Sequence, residues 1–480
     1  EDEDVKEKGM RIFCRKGLRE QMDFMQKRVM QAGSLGWVLG APGTGKSLTG
    51  LAFALSIDRE VWGVSWMHIS PYPAKAVQWI AARKTVYEAE LQTTNDDFLY
   101  ALLNGVDDDS QHVFVLDGFL QDSHKMLQHM LMRWREKKKE NRRVLFISSM
   151  QTRYKVKWED DQVWGVEVFL LESWRLEEYQ EAVMDDLFYS SVERKLDANL
   201  SRGSVAQRSF SSNLSREDRI LSKYYYAGGS SRYMFQMSSQ QIIDDVSNTI
   251  KNVGFLETLS TKIGQYSGAA INRLFSIYKD QDKSEYTVFL SRYLTEKICV
   301  QTGCEQFTRS LVHFCTMYHP VAKGLMLEDL FFMVVHHQGL ALHVRGEDAQ
   351  EAWQAAPVVT CLIPLTKGVV ESQSCDFWVR PPDFNHPGYD GVFLSRSRKL
   401  VRFVQVTAAK DDDLKLQYFK ELIDNLVLVG FPVQRIEICF IVLRKDLECF
   451  KVSKVFGQGS LEQYGFAKGK ERRSIRVMGV

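Results

Sequence analysis

Two kinds of apolar pattern alternate along the chain. Residues 1–30 are charged, with apolar positions at helical spacing (Met10, Ile12, Phe13, Leu18, Met22, Met25), and predict an N-terminal helical segment. From Gly36 the period changes. The short run Gly36-Trp37-Val38-Leu39-Gly40 stops at a glycine loop and predicts a buried strand, and Ser47 to Leu55 predicts a helix. A second run, His112-Val113-Phe114-Val115-Leu116-Asp117, ends in an acid. A third, Arg143-Val144-Leu145-Phe146-Ile147-Ser148-Ser149, ends in hydroxyls. A helix from about Ser123 to Lys139 lies between these two. Strands alternating with helices imply βαβ units and a largely parallel sheet.

Residues 197–216 are rich in Ser, Asn and Arg without apolar periodicity, and predict a flexible loop. Residues 217–320 are mostly helical by pattern. From about 321 the chain turns to α/β again. A helix over Leu327–His337 precedes strands near Tyr389–Leu394 and Leu400–Val406, a helix over Leu414–Val427 and a strand over Arg435–Leu443. No internal repeat is present. The division is an N-terminal segment (1–30), an α/β core (31–180), a helical lid (181–284) carrying the loop, and a second α/β domain (285–480).

Composition narrows the class. Lys plus Arg is 62 and Asp plus Glu is 61 in 480 residues, so the formal charge is 62 − 61 = +1. That balance excludes a polycation or an acidic-tail protein, while a local basic face stays compatible with it. Aromatics at 12% exclude disorder across the whole chain. None of the eight cysteines forms a CxxC pair, and the ten histidines complete no zinc pattern, so buried thiols in a reducing compartment are expected. No run approaches the roughly 18 apolar residues of a membrane span. The first sixteen residues have no apolar h-region, and the absence of an initiator Met suggests a processed or truncated chain.

The sharpest motif is Gly40-Ala41-Pro42-Gly43-Thr44-Gly45-Lys46-Ser47, a full match to G-x-x-x-x-G-K-[ST] with a strand before it and a helix after. Glycines let consecutive N–H groups converge on one anion, and the following helix adds its N-terminal dipole. Lys46 supplies a point charge for the β/γ oxygens and Ser47 a ligand for Mg²⁺. Asp117, closing its strand, fits a Walker B acid, with an ordinary strand-end acid as the other reading. The next residue is Gly118 where hydrolytic strands of this class often carry Glu; Asp122 is a candidate substitute. Ser148 and Ser149 stand where a polar sensor would touch the γ-phosphate. Arg232, after a Gly-Gly turn, reads either as a lid arginine reaching the nucleotide or as a solvated or core-capping one. These residues imply ATP or GTP with Mg²⁺.

A second constellation lies downstream. Glu328 sits on a helix, Asp390 begins one strand, and Gln405 lies in the next, with Lys410 and Lys415 following. Acids and a lysine in that order follow the logic of PD-(D/E)xK nucleases. There carboxylates hold Mg²⁺ against the scissile phosphate and a lysine stabilises developing charge. Gln405 replaces the usual Glu and Thr407 the usual Lys. A structural β-hairpin with polar ends is the alternative.

Taken together, the sequence resembles the Crinkler effectors of oomycetes and fungi, and their relatives the retrotransposon hot spot proteins of trypanosomes. The stretches that carry the resemblance are Gly36–Ser47, Ser173–Tyr179, Tyr225–Phe235 with its Gly-Gly-x-x-Arg, Gly324–Phe332, and Asn385–Thr407. It spans about residues 30–430. The resemblance implies a P-loop NTPase module joined to a restriction-endonuclease-like module in a secreted effector of the host nucleus. It makes Lys46, Ser47 and Asp117 nucleotide residues, and Glu328, Asp390, Gln405 and Lys415 nuclease residues, with Glu328 and Asp390 metal ligands.

The expected function is therefore an NTP-gated, Mg²⁺-dependent nuclease acting on DNA rather than RNA. The alternative is a nucleotide-switched binder of nucleic acid or a nuclear protein with a degenerate nuclease domain. A ring-forming remodeller is the third reading. Basic runs at Arg133–Arg143 and Lys468–Arg476 read first as a solvated helix face and a frayed tail, with a nuclear address or phosphate contact as the alternative.

Overall fold

The computed structural model describes residues 11–69, 75–80, 83–88, 94–119, 124–149, 162–197, 214–252, 271–280, 282–302, 320–361, 363–382 and 386–480. Asp122, Cys304, Cys315 and nearly all of the 197–216 loop lie outside them. The chain divides into two compact units. The first runs to Trp174 and adds Gly229–Arg232 and the segment ending at Ile277; the second takes the rest.

In the first unit, helix α1 (Lys16–Phe24) continues as π-helical turns through Gln31. The strands are β1 (Leu35–Gly40), β2 (Gly63–His68), β3 (Lys75–Ile80), β4 (Arg83–Glu88), β5 (His112–Phe119), β6 (Arg142–Ser148) and β7 (Val166–Leu171), in sheet order β4-β3-β2-β5-β6-β1-β7. The five strands from β2 to β7 in that order are parallel; β3 and β4 extend the edge antiparallel. Helices α2 (Lys46–Ser56), α3 (Asn95–Asn104) and α4 (Lys125–Glu136) cover the faces.

The apolar runs are continuous because both faces are covered. Val38, Val113, Val115, Leu145 and Ile147 pack with Phe53 of α2 and with Met25 and Val29. Trp37, Leu39, Phe114, Leu116 and Phe146 pack with Leu99, Leu102, Leu127 and Leu131 of α3 and α4. Alternate residues of one strand therefore feed separate cores. Trp37 stacks on Phe146 with ring centroids 4.4 Å apart, directly behind the glycine loop.

The second unit contains α5 (Leu176–Met184), α6 (Asp186–Val192), α7 (Arg216–Ala227), most of α8 (Ser231–Gln236), α9 (Ser239–Asn252), α10 (Arg292–Thr302), α11 (Pro320–His337), α12 (Lys367–Glu371) and α13 (Leu416–Leu428). The described part of 217–320 is mostly helical, as expected, with one addition. Phe275–Lys279 (β8) and Glu285–Phe289 (β9) form a two-stranded sheet, built on Phe, Tyr and Val. The lid helices also fall in one unit with the second sheet rather than in a domain of their own.

That sheet has the order β11-β10-β19-β17-β15-β14-β13-β12. Its strands are β10 (Leu340–Val344), β11 (Gln350–Trp353), β12 (Val358–Thr360), β13 (Phe377–Arg380), β14 (Gly391–Ser395), β15 (Leu400–Val406), β17 (Arg435–Val442) and β19 (Ile475–Gly479). β13, β14 and β15 form an antiparallel meander; the chain then passes through α13 into β17, which pairs parallel with β15. Phe331, Phe332 and Val335 of α11 pack on one face against Trp378, Phe393 and Val404. Phe419, Leu422 and Ile423 of α13 pack on the other against Val392, Phe403 and Phe440. The helix expected from Leu414 starts at Leu416, because Asp411–Lys415 is a short strand, β16, paired with β18 (Lys451–Phe456).

The basic run at 133–143 is not a single solvated face. Arg135 and Arg142 are 1% exposed and Arg143 9%. Arg142 donates to the Trp134 carbonyl (2.8 Å) and to Asp108 (2.6 Å), and its guanidinium lies 4.7 Å over the Trp134 ring. Arg142 and Arg143 tie the α4–β6 turn, and Arg135 donates to the Gly33 and Trp164 carbonyls, so all three are spent on structure. Arg142→Ala is expected to cost about 2 kcal/mol or more in denaturant unfolding, whereas Lys137→Ala on the exposed side stays within about 0.5 kcal/mol.

Candidate functional site: the glycine loop and the acid–arginine network

The loop between β1 and α2 bends through Gly43 (φ +79°) and Gly45 (φ +101°), a region that favours glycine. A Cβ on Gly43 would also lie 2.1 Å from the Ser230 hydroxyl. The segment after the Gly-Gly turn reaches this point: Ser231 donates to the Gly43 carbonyl through both its N–H (2.9 Å) and its hydroxyl (2.6 Å). Arg232 stands beside the loop, exposed, and close enough to Lys46 to act on its charge. Its exposure and its place beside the loop are compatible with both readings of Arg232.

Thr44 is tied from behind. Its carbonyl accepts from Arg15 Nη2 (3.2 Å) and Trp174 Nε1 (3.3 Å), and the Arg15 guanidinium lies 4.9 Å over the Trp174 ring. Gln21 Nε2 donates to the Lys46 carbonyl at 3.1 Å. The N-terminal helical segment is thus a brace for the loop. Sequence reasoning missed Arg15 and Gln21 as loop residues, because nothing in their spacing marks a contact with residues more than twenty positions away.

Lys46 is 9% exposed, and its ammonium donates to the carbonyls of Gly40 and Ala41, both at 2.8 Å. Burial lowers its pKa to about 8; Asp117 opposes that shift, and Arg232 and Arg15 add to it. Ser47 donates to Asp117 Oδ1 at 2.7 Å, and Asp117 Oδ2 lies 2.8 Å from His68 Nδ1. The hydrogen bond to Asp117 raises the pKa of His68 against partial burial. His68 ends β2 directly opposite Asp117 in the parallel register. It was invisible in the sequence because only the strand order makes the two neighbours.

One strand, β6, separates β1 from β5, so Ser148 and Ser149 stand at the end between the loop and Asp117. The Ser148 hydroxyl donates to the Phe119 carbonyl. Gly118 has φ +82°, and a Cβ there would lie 2.6 Å from the Ile69 carbonyl oxygen. A side chain at this register shift would press on the Ile69 carbonyl in left-handed backbone, so glycine is favoured here over Glu. Gly40, Pro42, Gly43, Thr44, Gly45, Lys46, Ser47, Asp117 and Arg232 thus converge in one place. The donor set fits a polyphosphate with Mg²⁺: glycine-permitted curvature, a buried cation, and a hydroxyl joined to a carboxylate.

The downstream residues are arranged differently. Glu328, 3% exposed, accepts at Oε1 from Arg292 Nη2 (2.6 Å) and from Arg380 Nη2 (2.8 Å) and Nε (3.2 Å). Arg380 also bonds Asp329 and lies 4.7 Å over the Phe332 ring; Arg292 donates to the Pro381 carbonyl as well. Asp390 accepts the Val406 N–H at 2.5 Å. Burial and the neighbouring Glu328 hold its pKa well above the usual carboxylate range, against the pull of both arginines. Gln405 and Lys415 cluster with Asp412, whose pKa burial raises.

The structure therefore brings Glu328 and Asp390 together, but joins them to Arg292, Arg380 and Asp329 rather than to Lys415. Among the described residues no group of three or more His, Cys, Asp or Glu stands where it could hold a metal ion. The expected ligand set of Glu328 and Asp390 does not fit a divalent cation as it stands. Three guanidinium N–H groups of Arg292 and Arg380 converge on Glu328 Oε1.

No family model matches the chain, and no curated protein matches it. Among solved structures, the chain is similar to Drosophila ORC bound to DNA, at 12% identity over 73% of this chain and 86% of that one, with a TM-score of 0.28. It is also similar to a Thermotoga maritima RuvB variant (10%, 53% and 72%, TM-score 0.26) and to AMPPCP-bound DnaA from Aquifex aeolicus (12%, 64% and 87%, TM-score 0.25). Scores at this level carry no argument; the strand order and loop geometry do.

Two outcomes follow. A polyphosphate placed against Lys46 would offset its desolvation and restore its proton affinity. Nucleotide affinity is then flat below about pH 7 and falls above about pH 8, by up to about tenfold per pH unit, with proton uptake seen as buffer-dependent heat in calorimetry. Gly118→Ala, forced into left-handed backbone against the Ile69 carbonyl, is expected to cost about 2 kcal/mol in thermal or denaturant unfolding.

Proposed function

We propose that this chain is a nucleotide-dependent switch. Its P-loop module binds ATP or GTP with Mg²⁺, and the nucleotide state governs a restriction-endonuclease-like module that acts on nucleic acid, DNA rather than RNA. The observation that carries the reading is the loop at 40–47, with Lys46, Ser47, Asp117 and Arg232 gathered on it. Lys46 would hold the β/γ oxygens, and Ser47 and Asp117 would hold the ion, which supplies charge neutralisation at the phosphates.

The second half of the reading is supported by the succession α11, β13, β14, β15, α13, β17. A helix, an antiparallel meander, a helix and a strand parallel to the last of the three is the framework a PD-(D/E)xK site is built on. It is supported also by the placing of Glu328 next to Asp390. The resemblance to Crinkler effectors extends the proposal to a secreted protein working in the host nucleus, in virulence, with a nuclear partner. The pairing of Glu328 with two arginines favours the non-cleaving form, a binder of nucleic acid or a nuclear protein with a degenerate nuclease domain.

The test uses calorimetry with ATP and Mg²⁺ alongside incubation with supercoiled plasmid. Wild type is expected to give a saturable heat that Lys46→Ala reduces by at least about 100-fold in affinity, equivalent to about 2.7 kcal/mol. Wild-type protein that stays folded and gives no heat would refute the switch. Plasmid nicking by wild type that Asp390→Ala abolishes establishes the cleaving form instead.

A further inference from the structure

We propose that the guanidinium groups of Arg292 and Arg380 stand in for divalent metal in the restriction-endonuclease-like module, so that this site carries its own fixed positive charge and takes up no Mg²⁺. The inference rests on that module's reading above and concerns which cation the site uses.

The geometry is that of a closed charge network. Arg292, Arg380, Glu328 and Asp329 are 2%, 7%, 3% and 4% exposed. Arg380 engages Glu328 through Nε and Nη2 and reaches Asp329 with the same Nη2; Arg292 engages Glu328 through Nη2. Two guanidiniums carry the charge of one divalent ion, and two carboxylates balance them. Charges buried this deeply persist only when paired and hydrogen-bonded, as they are here.

A divalent ion entering this site would need carboxylate oxygens, and one oxygen each of Glu328, Asp329 and Asp390 already accepts from an arginine or a main-chain N–H. Glu328 Oε1 receives both arginines. Asp390 Oδ2 receives the Val406 N–H at 2.5 Å. The remaining position of the pattern, Gln405, is an amide without charge. An incoming ion would also face two fixed cations at short range, where repulsion in a poorly hydrated interior is several times that in water. The arginines are held from outside the carboxylates as well: Arg292 by the Pro381 carbonyl, Arg380 by the Phe332 ring. They come from α10 and β13, two elements the sequence pattern did not connect with Glu328 on α11. The result is a site with the spatial order of a nuclease and the electrostatics of a stabilised ion cluster.

The experiment titrates Mn²⁺ into full-length, nucleotide-free protein. Free Mn²⁺ is followed by electron paramagnetic resonance and the unfolding temperature is recorded in parallel. Asp117→Asn serves as the background, which removes the P-loop ligand. In that background the chain is expected to retain no Mn²⁺ at 0.1–1 mM, on the order of the weaker sites of this kind, and to show no change in unfolding temperature. Arg380→Met added to it leaves Asp329 without its cation and Glu328 with Arg292 alone. That variant is expected to melt several degrees lower and to regain stability when Mn²⁺ is added. Arg292→Met, which leaves Arg380 in place, is the second variant should the first not fold.

Stoichiometric Mn²⁺ bound with the arginines intact and lost on Asp390→Asn would overturn the proposal. So would a failure of both arginine variants to respond to Mn²⁺. ATP calorimetry on wild-type protein reports separately on the switch, so a failure there is not confused with a failure here.

Discussion

A buried ammonium fixed on main-chain carbonyls is the constraint around which the first unit is arranged. Lys46 gives up most of its hydration to sit on Gly40 and Ala41, and that position exists only because the backbone curls through two left-handed glycines. Carbonyl dipoles offset part of the desolvation, and the lowered pKa is the sign that they do not offset all of it. Such a cation has a standing demand for an anion. The brace from Arg15 and Trp174, the lid hydroxyl on Gly43 and the Ser47–Asp117 bond all hold the curl in place, so little reorganisation is left for binding to drive.

The second unit treats buried charge in the opposite way. Around Glu328 every formal charge has a partner inside the protein: Arg292 and Arg380 are spent on Glu328 and Asp329, and further hydrogen bonds and an aromatic ring immobilise the arginines. A network of this kind contributes rigidity and a unique arrangement more than net stability, because desolvating four ions consumes most of the attraction among them. The contrast bears on function. Lys46 has no carboxylate bonded to its ammonium, whereas Arg292 and Arg380 are each bonded directly to one.

What could be read from the sequence followed from interactions local in the chain. The glycine loop, its strand and its helix are legible because backbone curvature, dipole and lysine all fall within eight residues, and Asp117 because an apolar run ends on it. The strands Gly391–Ser395 and Leu400–Val406 were placed within about two residues for the same reason, a short apolar alternation bounded by turn residues. The β8–β9 pair was missed because strands that short carry little periodicity, and their neighbours on either side are helical. The run from Arg133 to Arg143 looked like a surface because charge suggests solvent; the aromatic ring of Trp134 and a set of free carbonyls made three of its arginines interior.

The deeper miss concerns pairs. His68 faces Asp117 because β2 and β5 are neighbours in register, and Arg292 and Arg380 face Glu328 because α10 and β13 flank α11. Nothing about a histidine or an arginine at those positions announces a partner dozens of residues away. A motif search finds the residues that a chemistry requires and is blind to the residues that neutralise it. Glu328, Asp390 and Gln405 keep the order of a metal-binding pattern, yet whether an ion can enter depends on guanidinium groups that belong to no motif. The electrostatic character of this buried cluster is therefore set by charge balance at one carboxylate, a quantity that exists only in three dimensions.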